Sequence, residues 1–421
     1  MNTPVDHTVA STAAGAASDA VASAAPSAAA LQMIDRLVGF PTVSRDSNLG
    51  LIEFARDYLA ALGVKPRLVY DRREKKANLF CTLADDPARV KHDGVILSGH
   101  TDTVPVEGQD WDSDPFVATH SFSTGHGLIH GRGSADMKGF IAIALAWAPR
   151  FLQAQARVPI HLALTYDEET TFLGIRGLVA DLQDQGVKPA GCIIGEPTDM
   201  RAIVAHKGKR DYCCTLRGRE AHSSLTPTGV NAIEYGAMLI GFIRQQAARL
   251  ALEEPQDARF EVPHSTLQTG VIRGGIAVNV VPKDCSFEFE MRNIPATPHD
   301  AMTQPILDHA HNELLPQMRA VAAYADIRFE MGMDLPAFGI APDAAIVLWA
   351  QQLARTAHLG AGAVSFATEA SLFANAGIPT VVMGPGSIEQ AHKPNEYVSY
   401  AQVAACEAFF ERLCAAGPVP R

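Results

Sequence analysis

The sequence predicts an α/β protein in two parts: a split domain built on a largely parallel central sheet, interrupted by a smaller inserted domain of ferredoxin-like order. Three observations carry this. Apolar runs too short for helices alternate with helical periodicity from Leu31 to about residue 208. Near Lys209 the order changes to strand–helix–strand–strand–helix–strand. From about Asp334 the first pattern returns. A chain of 421 residues is also too long for a single hydrophobic core. The expected division is an Ala-rich extension over 1–30, the split domain over 31–208 and 334–421, and the insertion over 209–333.

The first segment opens with helical spacing over Leu31–Phe40 and Asn48–Leu62. Strand-like runs follow at Pro66–Tyr70, Asn78–Leu83 and Gly94–Gly99. A helix is expected from about Met137 through IAIALAWAPRFLQAQ, then strand PIHLALTYD, helix FLGIRGLVADLQDQ and strand GCIIGEP. Strands that are apolar on both faces belong in a buried parallel sheet. In the insertion, strands are expected at Asp211–Gly218, Thr266–Arg273, Cys285–Arg292 and Ala325–Glu330, with helices over Gly229–Leu252 and His299–Val321. The last segment reads helix Ala341–Ala357, strand AVSFAT, helix SLFANAG, strand TVVMG and helix Ala401–Ala415.

The first thirty residues lack a basic start and an unbroken apolar run, so they read as a disordered extension and not as a secretory signal. No apolar stretch approaches a membrane span. The net charge of −11 argues against a nucleic-acid or anionic-membrane partner. Seven cysteines, an odd set without a C-x-x-C pair, fit buried thiols in a reducing compartment, and hence the cytoplasm.

Polar residues gather where predicted strands end. His100 and Asp102 close LSGHTD, Glu168 and Glu169 close LALTYDEE, and Glu196 closes CIIGEPT. Asp136 precedes a helix in GRGSADMKG, and His392 follows strand TVVMG. Singly, each residue reads as a cap or a solvated end. Together they deliver two His, two Asp and three Glu to the sheet edge at which open α/β sheets bind ligands. Imidazole and carboxylate without thiolate suit zinc, cobalt or manganese, and the ligand count points to two ions sharing a carboxylate. Adjacent side chains in extended chain point apart. One of Glu168 and Glu169 can therefore bind metal while the other acts as a base. Dinucleotide, P-loop and nucleophile-elbow motifs are absent from the sequence.

GHTDTVP, GRGSADMKGF, DEE, GEPT, AHKG, GREAHSS and GPGSIEQAHKPNE, in that order, resemble the two-zinc amide hydrolases. That family holds acetylornithine deacetylase, succinyl-diaminopimelate desuccinylase, aminoacylase and the glutamate carboxypeptidases. The resemblance spans about residues 31–421, and ATEA within SFATEASLF resembles the acetylornithine branch. It implies two Zn2+ (or Co2+) per chain. Asp136 would bridge them, His100 and Glu196 would complete one position, and Glu169 and His392 the other. Asp102 would orient His100, Glu168 would be the general base, and the Asp136–Met137 peptide would be cis. It further implies a homodimer formed through the insertion, which would also serve as a lid. His222 would act in the partner's site, Arg292 and Asn279 would contact a small N-acyl amino acid, and Glu369 is the candidate for a substrate ammonium.

Overall fold

The computed structural model describes residues 25–84, 94–123, 126–153 and 158–420. In chain order its strands are β1 (Arg67–Tyr70), β2 (Ala77–Leu83), β3 (Val95–His100), β4 (Thr119–Ser123), β5 (His126–His130), β6 (Ile160–Thr165), β7 (Gly191–Pro197), β8 (Ile203–His206), β9 (Lys209–Arg217), β10 (Thr266–Gly274), β11 (Asp284–Arg292), β12 (Asp326–Leu335), β13 (Phe338–Gly339), β14 (Gly362–Val364), β15 (Thr380–Gly384) and β16 (Tyr397–Ser399). The helices are α1 (Ala28–Val38), α2 (Leu49–Ala61), α3 (Lys138–Gln153), α4 (Leu173–Asp184), α5 (Ala232–Glu253), α6 (His299–Asp308), α7 (Leu315–Val321), α8 (Ala345–Ala354), α9 (Ala370–Asn375) and α10 (Tyr400–Ala415).

The large sheet runs β1-β2-β6-β3-β7-β15-β8-β13, with β14 beside β8. Its centre, β6-β3-β7-β15, is parallel, and the outer pairs β1/β2, β2/β6, β15/β8 and β8/β13 are antiparallel. Every residue of β3, β6 and β7 is buried, as a sheet covered by helices on both faces requires. Helix α3 is apolar nearly all round because it lies between this sheet and the helices α1 and α10.

The inserted sheet is antiparallel in the order β10-β11-β9-β12, the ferredoxin-like arrangement. Strands β9 and β11 alternate, burying Tyr212, Cys214 and Leu216, and Cys285, Phe287, Phe289 and Met291, on one face. These residues pack with Leu239, Ile243, Met302, Ile306 and Met318 in a hydrophobic cluster of their own.

Several elements differ from the sequence reading. The helix expected over His299–Val321 is α6 and α7 joined by a π-helical turn at His309–Leu314. Pro316 has no N–H for the carbonyl four residues back, and the wider turn precedes it. Strand β12 continues past Glu330, where the expected strand ends, and pairs Leu335 with Lys209. Helix α8 begins at Ala345 rather than Ala341, and it stops before Ala357 because Arg355 at its end is left-handed (φ 61°). The extension expected over 1–30 falls outside the described residues up to 24, but its last residues are part of the fold. Ser27 caps α1 through Ala30 N–H and donates its Oγ–H to Glu407 at 2.6 Å. Strands β4, β5 and β16 were not expected and form a third sheet, β16-β5-β4.

Candidate metal centre

Each predicted residue of the centre stands at or beyond the carboxyl end of a central strand, or just before α3. His100 is the last residue of β3, and Glu196 is the penultimate residue of β7. Glu168 and Glu169 follow β6, and His392 lies in the loop after β15. The Asp136–Met137 peptide is cis and leads directly into α3.

The structure brings these side chains into two groups that share Asp136. Ligand atoms of His100, Asp136 and Glu196, and likewise of Asp136, Glu169 and His392, lie within 4.8 Å of one another. His100 Nε2 is 3.0 Å from Asp136 Oδ1 and 3.8 Å from Glu196 Oε1. His392 Nε2 is 3.2 Å from Asp136 Oδ2 and 3.0 Å from Glu169 Oε2. The two oxygens of Asp136 thus face the two groups separately, the geometry of a bridge.

The charges fit a dication site. Among the described residues, Asp136, Glu168, Glu169 and Glu196 meet only two imidazoles here, and Glu196 Oε1 is buried with no hydrogen-bond partner. Burial, with neighbouring carboxylates adding to it, holds the Glu168 and Glu196 carboxyls well above their usual range. Burial acts on Asp136 in the same direction, but hydrogen bonds from His100 and His392 outweigh it and hold that carboxyl below its ordinary value. Hydrogen bonds to Asp136 and Glu169 push His392 up to about 10. Such a crowd of carboxylates calls for divalent positive charge.

Asp102 meets His100 through its main chain. His100 Nδ1 donates to the main-chain carbonyl of Asp102 at 2.9 Å, while the carboxylate is 3.7 Å away. The carboxylate instead accepts the N–H groups of Glu168 (3.1 Å) and Glu169 (3.3 Å) and the hydroxyl of Ser44 (2.7 Å). One residue therefore fixes the His100 tautomer with its backbone and the adjacent-glutamate turn with its side chain.

The other expected residues stand apart from this cluster or beneath it. Glu369 is 1% exposed, with Oε2 3.4 Å from Ser98 Oγ, and burial pushes its carboxyl up to about 7. Its other oxygen is buried without a hydrogen-bond partner among the described residues. Arg292 at the end of β11 pairs with Glu290 at 2.9 Å. The segments that carry His222 and Asn279 run side by side: His222 bridges to Val280, and the carbonyl of Asn279 accepts Ser223 N–H at 3.1 Å. Both His222 and Asn279 are exposed.

Sequence reasoning passed over three residues that hold the centre. Glu396 is buried and accepts four hydrogen bonds, from Ala135 N (2.9 Å), Asp136 N (3.0 Å), Gly133 N (3.1 Å) and Arg132 Nη1 (2.8 Å). Arg132 Nη2 continues to Gln109 Oε1 at 2.5 Å. Pairing of β16 with β5, Tyr397 opposite His130, sets Glu396 beside the Asp136 loop. Glu396 and Arg132 lie inside the quoted stretches GPGSIEQAHKPNE and GRGSAD, where a buried ion pair across 264 residues leaves no local signal.

Comparison with known proteins agrees with this geometry. Residues 96–416 match the model of peptidase family M20/M25/M40. The acetylornithine deacetylase of Pasteurella multocida is 32% identical over 378 residues, covering 88% of this chain and 93% of the relative. That of Proteus mirabilis is 32% identical over 381 residues, covering 88% and 92%. In fold, a tripeptidase from Staphylococcus aureus superposes with a TM-score of 0.70 at 19% identity, covering 92% of this chain and 98% of that one. Match length, relatives and the strand-end cluster lead to one assignment: the chain belongs to peptidase family M20/M25/M40, and it is a metal-dependent hydrolase acting on an amide bond.

Proposed function

We propose that the chain removes the acetyl group from N2-acetyl-L-ornithine, giving ornithine and acetate, as a cytoplasmic homodimer serving arginine biosynthesis. The observation that carries the chemistry is the pair of ligand groups sharing Asp136. The relatives' names supply the substrate. His100 and Glu196 would hold one ion, Glu169 and His392 the other, and Asp136 both. Zinc fits the donors, and cobalt is a substitute. Bound there, two such ions supply positive charge and acidify a water.

The chain's own groups do the rest. The Glu168 carboxyl is buried and bonds to no side chain among the described residues, which leaves it free to take a proton from the water and return it to the leaving amine. Asp102 keeps Glu168 and Glu169 in register through their N–H groups. Arg292 and Asn279 would receive the substrate α-carboxylate. His222, from the second copy, would donate to the developing oxyanion. Among the described residues no helix is long and apolar enough to cross a membrane.

The test is a panel assayed with zinc- and cobalt-loaded enzyme: acetylornithine, succinyl-diaminopimelate and acetylmethionine. The highest kcat/KM is expected on acetylornithine. A preference for succinyl-diaminopimelate would make the chain a desuccinylase. A preference for acetylmethionine would make it a general N-acyl-amino-acid hydrolase.

A further inference from the structure

The two imidazoles of the centre are held in different ways. His100 is 1% exposed, and its far nitrogen donates to a carbonyl. The His392 side chain is 54% exposed, and among the described residues its far nitrogen makes no hydrogen bond. Its backbone is left-handed (φ 61°), as is that of Asn395 (φ 57°). What restrains this loop is a set of bonds from residues 109–112. Gln109 Nε2 donates to the His392 carbonyl at 2.9 Å. Asn395 exchanges two bonds of 2.9 Å with Asp112.

Gln109 is also tied to the bridging ligand. Its Oε1 accepts from Arg132 Nη2 at 2.5 Å and from Trp111 Nε1 at 3.1 Å. Arg132 binds Glu396, and Glu396 holds Asp136 by its N–H. The bonds close a ring: His392 carbonyl, Gln109, Arg132, Glu396 and back along four residues of chain to His392. One side of this ring carries Asp136 and the other His392.

We propose that Gln109 is a positioning residue for one metal position only, that of Asp136, Glu169 and His392, because its amide sets the His392 main chain against the Arg132–Glu396 pair. This rests on the two-ion reading above. An orienting partner of a metal ligand is typically worth 10–100-fold in affinity.

Gln109→Glu separates the two halves of the contact. Glutamate still offers an oxygen to Arg132 and Trp111, but it faces the His392 carbonyl with a second acceptor. Gln109→Ala removes both halves. Gln109 is only partly buried, so neither variant empties the core. The metal-free full chain is titrated with Co2+, followed by heat and by visible absorption, and His392→Ala marks which step belongs to this position. Wild type should show two steps. Gln109→Glu should weaken the marked step by about 10–100-fold and leave the other in place, and Gln109→Ala, which also frees Arg132 behind the shared Asp136, should weaken the marked step at least as much. Gln109→Glu matching wild type, or weakening both steps alike, would overturn the proposal. A wild type that takes only one Co2+ would overturn the two-ion reading itself, and the proposal with it.

Discussion

The carboxyl edge of the central sheet and the tip of the inserted domain both carry residues assigned to the reaction, yet they are built in opposite ways. At the sheet edge, His100, Asp136, Glu168 and Glu196 are buried, and several strands and a helix start converge on them. At the tip, among the described residues the His222 side chain bonds only to nearby Ser224, its backbone bridges to Val280, and Ile276 and Val278 near Asn279 are 86% and 103% exposed. The edge is complete in one chain. An exposed apolar tip with an exposed histidine is the kind of surface that a second copy covers. The difference teaches that a preformed, buried centre stands apart from an exposed tip, whose part in the proposed reaction would depend on assembly.

The comparison is broken most severely at Glu168. Glu168→Gln should lower kcat by at least ~10²-fold, the scale of general acid–base catalysis, with metal content unchanged. Metal analysis beside kinetics decides, and loss of both ions would mean that Glu168 is a ligand.

His222→Ala tests the other pole. A missing oxyanion donor costs about 10²–10³-fold in kcat, with no change in metal content. Mixed with Glu168→Gln under verified subunit exchange, it should regain activity, since one site of the heterodimer is then intact. No recovery would return His222 to its own chain, and a monomer by light scattering would remove the trans reading.

Acid should sharpen the contrast in stability. His161 and His206, both in the split domain, are pushed down to about 4 by burial. Unfolded, they titrate near 6.5, so the unfolded state binds more protons between those values and stability is lost as pH falls from 6.5 toward 4. The difference between 6.5 and about 4 corresponds to about 3 kcal/mol for each histidine. Urea unfolding of His161→Gln at pH 7 and at pH 4.5 should show a flatter pH dependence than wild type. An unchanged slope would mean that His161 titrates normally in the fold.

The smallest effect is expected at Glu369. Because its carboxyl is buried against Ser98, Glu369→Gln should slow acetylornithine and acetylmethionine alike, within about threefold of each other. A loss selective for acetylornithine by about 1–3 kcal/mol would instead set this carboxylate against the substrate ammonium.

The sequence by itself determined the alternation of buried strands and helices, the ferredoxin-like insertion and the gathering of His, Asp and Glu at strand ends. Apolar periodicity is a local property, and a polar residue closing a buried strand is visible wherever it stands. Tertiary structure alone decided what holds these groups at their distances. The short strands β4, β5 and β16 carry little periodicity, so the register that sets Glu396 beside Asp136 was not legible. Nor was the choice of backbone over carboxylate at Asp102, or the burial of Glu369 against Ser98, since each depends on which strands become neighbours. Ligand identity follows from side-chain chemistry along the chain, whereas ligand geometry follows from pairings between residues far apart in it.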